Sequence, residues 1–290
     1  MATIYELPLS KFELARPILG SPPADFAYID AGLTGMSPAR VFVDDPEQPT
    51  AALMTRSYEY FVGGALETPL ADFIRDAPVE VGVWADFYGF VAVDPDWNDR
   101  LRALHPELET IGRRSFRFDP AHLDRVRGWR ERVPLGLRVV PMTVELAEMA
   151  DREMPEVIGK IWAGYDLFAK YGYGALMLDG DAPVSVCCAF GVGGGEANLG
   201  VTTIPSCRRR GLALICSHVC VEMTFDRGLI PTWDCDAPNI ASGELARAIG
   251  FTEHDPFTEH AFPNREKPTQ TTGLWKSESR ENGVTAWRRL

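Results

Sequence analysis

Hydrophobic and polar positions follow two different periods along this chain, and the changes of period mark its elements. Residues 41–43 (VFV) and 51–54 (AALM) are short apolar runs flanked by Asp-Pro and Gln-Pro turns, which predicts two strands. Residues 69–75 fit a short helix and residues 96–108 a longer one. Between them, 79–92 mixes both periods through Val81, Val83, Phe87 and Val91, with strand favoured at its end. Residues 120–130 read as a basic amphipathic helix with Leu123, Val126 and Trp129 on one side and a solvated basic face on the other.

The pattern becomes more regular after Val133-Pro134-Leu135-Gly136, which reads as a linker dividing the chain into residues 1–133 and 134–290. A strand is expected at 137–140, then a helix to Ala150 with Thr143 as its N-cap, then one helix from Pro155 past Trp162 and Phe168 to Gly172. Three antiparallel strands follow at 173–178, 183–192 and 196–204. Asp179-Gly180-Asp181 turns the first pair and Gly193-Gly194-Gly195 the second; that glycine triplet has no helix after it, so it suits a hairpin better than a phosphate cradle. Leu212, Ile215, Val219 and Met223 recur at helical spacing before a stop at Gly228, residues 231–235 read as a buried strand, and 239–248 as a last helix. Strands beyond Phe251 are expected to complete a sheet, with 251–254 as one candidate and 273–276 or 284–288 as the other, and 264–272 as a polar crossing.

With 290 residues, 46% of them hydrophobic, the chain is long enough for one large or two ordinary domains. Its formal charge of −12 makes nucleic acid an improbable partner, while an acidic body can attract a cationic amine. The N-terminus has neither a basic start nor an unbroken apolar core, and the longest uncharged run, 182–195, holds Pro and four glycines; no membrane partner and a cytoplasmic location are expected. All six cysteines lie between Cys187 and Cys235 with no Cys-x-x-Cys pair, which predicts reduced, buried thiols and no metal.

The most informative stretch is 199–213, LGVTTIPSCRRRGLA. A β-type run feeds a loop of three arginines, and Gly211 then opens a helix. First-turn N–H groups of a helix lack intrahelical acceptors and sit at the positive end of its dipole, so phosphate oxygens bind there. Gly211 lets the backbone approach, and Arg208, Arg209 and Arg210 add charge for a pyrophosphate or ribose phosphate.

This order of strand, Arg-x-x-Gly-x-Ala and helix, carried by Arg208, Gly211 and Ala213, resembles the GNAT acyltransferase superfamily. Pro231, Trp233, Cys235, Asn239 and Ser242, with Thr203 before the loop, resemble more narrowly the family that includes the zwittermicin A self-resistance acetyltransferase. Gly250-Phe251 resembles the closing Gly-Phe of the superfamily's next helix, and ARVFVDDPEQPTAAL at 39–53 looks like the narrower family's N-terminal segment. The resemblance implies an α/β (α+β) GNAT fold, a mixed and mostly antiparallel sheet with helices on both faces, preceded here by a smaller mixed α/β domain that is itself open to being GNAT-like. It implies an acetyl-CoA-dependent N-acetyltransferase acting on a small-molecule amine, as monomer or homodimer. The alternative is a non-catalytic acyl-CoA-binding regulatory module.

By the same resemblance, Thr203, Ile204, Arg208, Arg209, Arg210, Gly211, Leu212 and Ala213 hold the coenzyme. Asn239 and Ser242 contact it from the next helix, with a plain N-cap as the other role for Asn239. The Tyr that many members use as general acid is matched by Ala246. For the base, Glu196 lies on the strand before the loop and Asp234 on the strand beside the coenzyme; an exposed hairpin Glu and a helix cap are the competing roles. His218 reads as a packed or exposed helix residue, and His254 and His260 stand near a possible acceptor rim.

Overall fold

The computed structural model describes residues 2–20, 26–56, 59–77, 89–154, 158–263, 274–280 and 282–290. The chain forms two compact units of nearly equal length, residues 1–112 with 257–290, and residues 113–256.

Unit 1 begins with β1 (Thr3–Leu7), α1 (Arg16–Leu19), α2 (Phe26–Leu33), β2 (Ala39–Val43), β3 (Ala51–Arg56) and β4 (Glu59–Gly64). It continues through α3 (Pro69–Asp76), β5 (Gly89–Ala92) and α4 (Asp96–Leu104). The strands β1 to β4 pair antiparallel in sequence order, and β4 pairs parallel with β5 across α3. Phe42, Leu53, Tyr60, Phe73, Phe90 and Trp97 meet in one buried cluster. Of the ambiguous segment 79–92, the end is strand β5, and 79–88 lies outside the described residues.

Unit 2 takes up the chain within β6 (Glu109–Phe118) and runs through α5 (Leu123–Arg127), β7 (Leu137–Pro141), α6 (Val144–Glu153), α7 (Ile158–Ile161) and α8 (Tyr165–Tyr171). Then come β8 (Gly174–Asp179), β9 (Ala182–Gly193), β10 (Glu196–Thr203), α9 (Leu212–Asp226), β11 (Ile230–Asp236), α10 (Ile240–Ile249) and β12 (Phe251–Glu253). Again four strands, β7 to β10, pair antiparallel in order and the fourth pairs parallel with the fifth, β11, across a helix. The strand pairing of unit 1 is thus repeated in unit 2. Leu176, Leu178 and Val186 pack on Ala150 and Met154 of α6, while their strand neighbours Cys187 and Tyr173 bond to Cys220 and Thr224 of α9, so α6 and α9 cover opposite faces.

The candidate strand at 251–254 is β12, which pairs with β6 beside β11, whereas the later strands pair within unit 1. β13 (Phe257–Ala261) pairs with β5, and the hairpin of β14 (Trp275–Ser279) and β15 (Thr285–Arg289) pairs with β1. Trp275 and Trp287 pack against Phe73, which buries more apolar surface than a solvent-exposed sheet edge offers. The expected single boundary near residue 133 is therefore replaced by two crossings, at 112/113 and 256/257, and the N-terminal domain is not the smaller one. The crossing at 264–272 lies outside the described residues.

Local signals fare better. Thr143 accepts from the Leu146 amide at 3.3 Å as an N-cap, and Gly180, Gly194 and Gly195 turn the hairpins at positive φ. The helix expected from Pro155 to Gly172 is broken at Trp162, Ala163 and Gly164, where the Trp162 indole instead donates to the Ala189 carbonyl at 3.0 Å. The basic helix at 120–130 has only one α-helical stretch, α5, between two 3-10 turns. Its Trp129 donates to Glu222 of α9 at 2.6 Å, so it docks on that helix.

α9 is buried on nearly every side, with Cys216, Ser217, His218, Cys220 and Val221 all inaccessible. Among the described residues His218 has no hydrogen-bond partner at either ring nitrogen. Burial, and then Arg132 and Arg125, push its pKa down to about 4. A folded-state pKa below the unfolded value means that the stability is fully present above about pH 6.5 and is lost as the pH falls toward 4, by about 3 kcal/mol for this one group. His218→Leu is expected to flatten that part of the stability curve when urea unfolding is followed at a series of pH values; parallel curves for the two proteins would refute it.

Candidate functional site

In unit 2 the parallel pair β10 and β11 is joined only at Glu196 with Ile230, Ala197 with Pro231 and Asn198 with Thr232. Beyond that point β10 runs on to Thr203 beside β9 alone, and β11 runs on to Asp236 beside β6. The two strands form a fork. A β-bulge at Phe190 on β9, between the pairs Gly191 with Asn198 and Ala189 with Leu199, sits where the fork opens. Bulges add local twist and bend, which carries the end of β10 away from β11. Gly200 makes room for the bulged ring: a Cβ there would lie 2.1 Å from the Phe190 ring.

The open end of β10 leads into the arginine loop. The backbone turns at positive φ at Arg209 (63°) and Gly211 (78°), and Gly211 has open space where a side chain would stand. Arg209 is the one non-glycine residue with positive φ among those described, so the loop holds a conformation that costs energy for an L-residue. α9 starts at Leu212 with no side-chain cap, which leaves its first-turn amides to an outside acceptor. All three arginines are exposed, and among the described residues none pairs with a carboxylate. Arg208 instead donates from Nε to the Thr203 carbonyl at 3.0 Å.

Other residues singled out from the sequence have defined partners. The Thr203 hydroxyl bonds Ser185 at 2.7 Å, and Ile204 packs on the α6 cluster. Leu212 is buried and Ala213 half-buried. Asn239 is the N-cap of α10, accepting from the Ser242 amide at 3.2 Å. Ser242 accepts the Trp233 indole proton at 3.0 Å, one helical turn before the buried Ala246.

The face of the fork turned away from α9 is polar. By strand parity it carries Glu196 and Asn198 on β10, Thr232, Asp234 and Asp236 on β11, and Arg113, Ser115 and Arg117 on β6. Asp234, whose side chain is 3% exposed, accepts from Arg113 on one oxygen and from the Asn198 amide at 3.0 Å on the other. Arg113 also reaches Asp236 at 2.6 Å. Both oxygens of Asp234 are thus engaged, which suits a positioning carboxylate rather than a proton acceptor. Glu196 pairs with Arg117 at 2.7 Å, at the closed end of the fork and seven residues from Thr203.

Arg113 and Thr232 escaped the sequence reading. Residues 109–118 do carry a signal, since Arg113, Ser115 and Arg117 alternate with Arg114, Phe116 and Phe118 at the period two of a strand. His260 lies in unit 1, buried and neutral: its Nε2 donates to Asn98 at 2.8 Å and its Nδ1 accepts from Thr110 at 3.1 Å. The Asn98 amide donates to the Pro95 carbonyl, which fixes that tautomer.

The corresponding place in unit 1 is filled by the chain itself. β4 stays paired with β5 from Glu59 to Val62, and the Val93 amide extends the ladder to the Val62 carbonyl at 2.8 Å. At Gly64 the amide donates to Asp94 at 2.5 Å and the carbonyl accepts the indole proton of the fully buried Trp97 at 2.9 Å. The residues leading to α3, Ala65 to Pro69, include Glu67 and no arginine.

Among the described residues no group of side chains could hold a metal ion, all six cysteines are free and buried, and no helix is long and apolar enough to cross a membrane.

Residues 25–259 match the model of the GNAT acetyltransferase family. The chain is 23% identical over 264 residues to an uncharacterized N-acetyltransferase, YdfB, of Bacillus subtilis (strain 168), covering 89% of this chain and 98% of that protein. It is similar in fold to a GCN5-related N-acetyltransferase-like protein from Streptococcus suis, with a TM-score of 0.69, 20% identity and coverage of 87% and 98%. A tandem GNAT protein from the clavulanic acid biosynthesis pathway shares the fold at a TM-score of 0.59 and 12% identity, with 89% and 97% covered.

Proposed function

The chain belongs to the GNAT acetyltransferase family and is an N-acetyltransferase, and from that premise we propose that unit 2 binds acetyl-CoA and transfers its acetyl group to the amine of a small polar molecule. The observation that carries this is the fork of β10 and β11 opening directly onto an uncapped helix start with three exposed arginines. The residues suit the coenzyme. The open space at Gly211 and the free first turn of α9 fit a diphosphate, Arg208, Arg209 and Arg210 supply charge, and the fork leaves one edge of β10 for the amides of the pantetheine arm.

When bound, the coenzyme supplies an activated acetyl thioester. The chain's own work is to orient and to hold charge. Trp233 fixes the Ser242 hydroxyl as an acceptor of the indole proton, which directs the hydroxyl's own proton elsewhere, and Asn239 rigidifies the start of α10. With Ala246 at the usual position of the general-acid Tyr, no phenol is available there. Asp234, held by Arg113 and Asn198, keeps the polar face rigid beside the fork.

The acceptor follows from that face. Paired charges, Arg113 with Asp234 and Asp236 and Arg117 with Glu196, offer donors and acceptors at close spacing, which suits an amine bearing hydroxyls or amides. An aminopolyol, the class suggested by the resemblance to the zwittermicin-resistance family, fits that description. Among the described residues the carboxylates of this face, Glu196, Asp234 and Asp236, are each paired with an arginine, so the amine binds as its free base. kcat/KM is then expected to rise with pH up to the pKa of the acceptor itself and to shift when amines of different pKa are compared, measured by thiol release. Calorimetry with acetyl-CoA tests the cofactor site directly: micromolar binding is expected, and no binding by the intact chain would sink the proposal.

A further inference from the structure

Thr232 is the last residue of β11 paired with β10, opposite Asn198. Partners in a parallel pair project to the same side, as do residues two apart on one strand, so its side chain shares the face of Asn198 and Asp234. The residue is 5% exposed, and its hydroxyl has no hydrogen-bond partner among the described residues. The polar side chains around it are turned to one another: Asn198 donates to Asp234, and Arg117, its neighbour across β6, pairs with Glu196. A buried hydroxyl with no partner lowers stability relative to a valine of the same shape, so folding alone gives no reason for threonine here.

We infer that Thr232 receives the acceptor amine at the base of the fork, where β10 and β11 part. This rests on the proposed binding of acetyl-CoA by unit 2. The hydroxyl oxygen accepts an N–H hydrogen bond from the amine and so aims the nitrogen lone pair at the thioester carbon. The C–N bond forms and the C–S bond breaks; the surplus proton on nitrogen ends on the sulfur of the departing thiol, and the Thr232 proton stays on its oxygen. The ligand class is a primary amine bound neutral, since among the described residues the carboxylates of this face, Glu196, Asp234 and Asp236, each already pair with an arginine.

The test uses the intact chain, Thr232→Val and Thr232→Ser, with hydroxylamine as a small acceptor that is neutral at pH 7. Three quantities are read: acetyl-CoA affinity by calorimetry, thiol release with hydroxylamine, and the melting temperature without ligand. Thr232→Val is expected to bind acetyl-CoA within about twofold of wild type and to lose about tenfold or more in kcat/KM for hydroxylamine. It should melt about 1–3 °C higher, whereas Thr232→Ser keeps most of the activity. Wild-type kcat/KM in Thr232→Val, a lower melting temperature for it, or no hydroxylamine-dependent thiol release by acetyl-CoA-bound wild type would each overturn the inference. Failure of the wild type to bind acetyl-CoA would remove the proposed function as well, and that outcome is distinct from the others.

Discussion

Replacing Arg208, Arg209 and Arg210 together with glutamine is expected to weaken acetyl-CoA binding about a hundredfold or more while leaving the fold intact. A hydrogen bond to a charged group contributes about 1.5–3 kcal/mol, and exposure lowers that; even about 1 kcal/mol each compounds to roughly two orders of magnitude. The arginines are exposed and make no ion pair with a described carboxylate, so the folded chain loses little beyond the Arg208 contact to the Thr203 carbonyl and the Arg210 contact to the Cys207 sulfur at 3.6 Å. Wild-type affinity should fall as salt is raised, and the triple variant should show a shallower dependence. Calorimetry at two ionic strengths reads both effects. A loss under threefold would place the coenzyme's phosphates somewhere other than this loop.

Asp234 should give the largest effect on stability. Asp234→Ala leaves the Arg113 guanidinium and the Asn198 amide without their shared buried partner, and breaking a buried charge pair from one side costs about 3–5 kcal/mol. Asp236 still holds one end of Arg113, which puts the expectation at the lower end of that range. Asp234→Asn keeps the shape and one acceptor and should cost less. Chemical denaturation of the three proteins measures the order. A base would behave differently: Asp234→Asn would lose about a thousandfold in activity at unchanged stability, and that result would return Asp234 to a proton-transfer role.

The two units show how one strand order can be kept while, among the described residues, the fork to which we assign the coenzyme forms in unit 2. In unit 2 the bulge at Phe190 lets β10 leave β11, whereas in unit 1 Asp94 and Trp97 occupy the amide and carbonyl of Gly64 at the end of β4. A helix start with acidic neighbours, Glu67 before α3 and Asp72 in its first turn, is the reverse of what a diphosphate needs.

What could be read from the sequence were features set by neighbours within a few residues. The arginine loop and the uncapped start of α9 at Gly211, the Asn239 and Thr143 caps and the hairpin turns at Gly180 and Gly194 depend on local backbone chemistry, and that chemistry is written in consecutive residues. Partners far apart in sequence were not legible. Arg113 looks like one charge among several in RRSFRF until β6 is laid against β11, 121 residues from its partner Asp234. β13 and the β14–β15 hairpin have strand periodicity, yet nothing local says that they pair with β5 and β1 and not with the strands just before them. The sequence by itself determined where the chain turns, caps and exposes amides, because those are short-range hydrogen-bonding choices. Only the tertiary structure decided which strands lie side by side, where β10 parts from β11 and which hydroxyl is left over at that parting, because strand register is settled by the burial of whole faces at once.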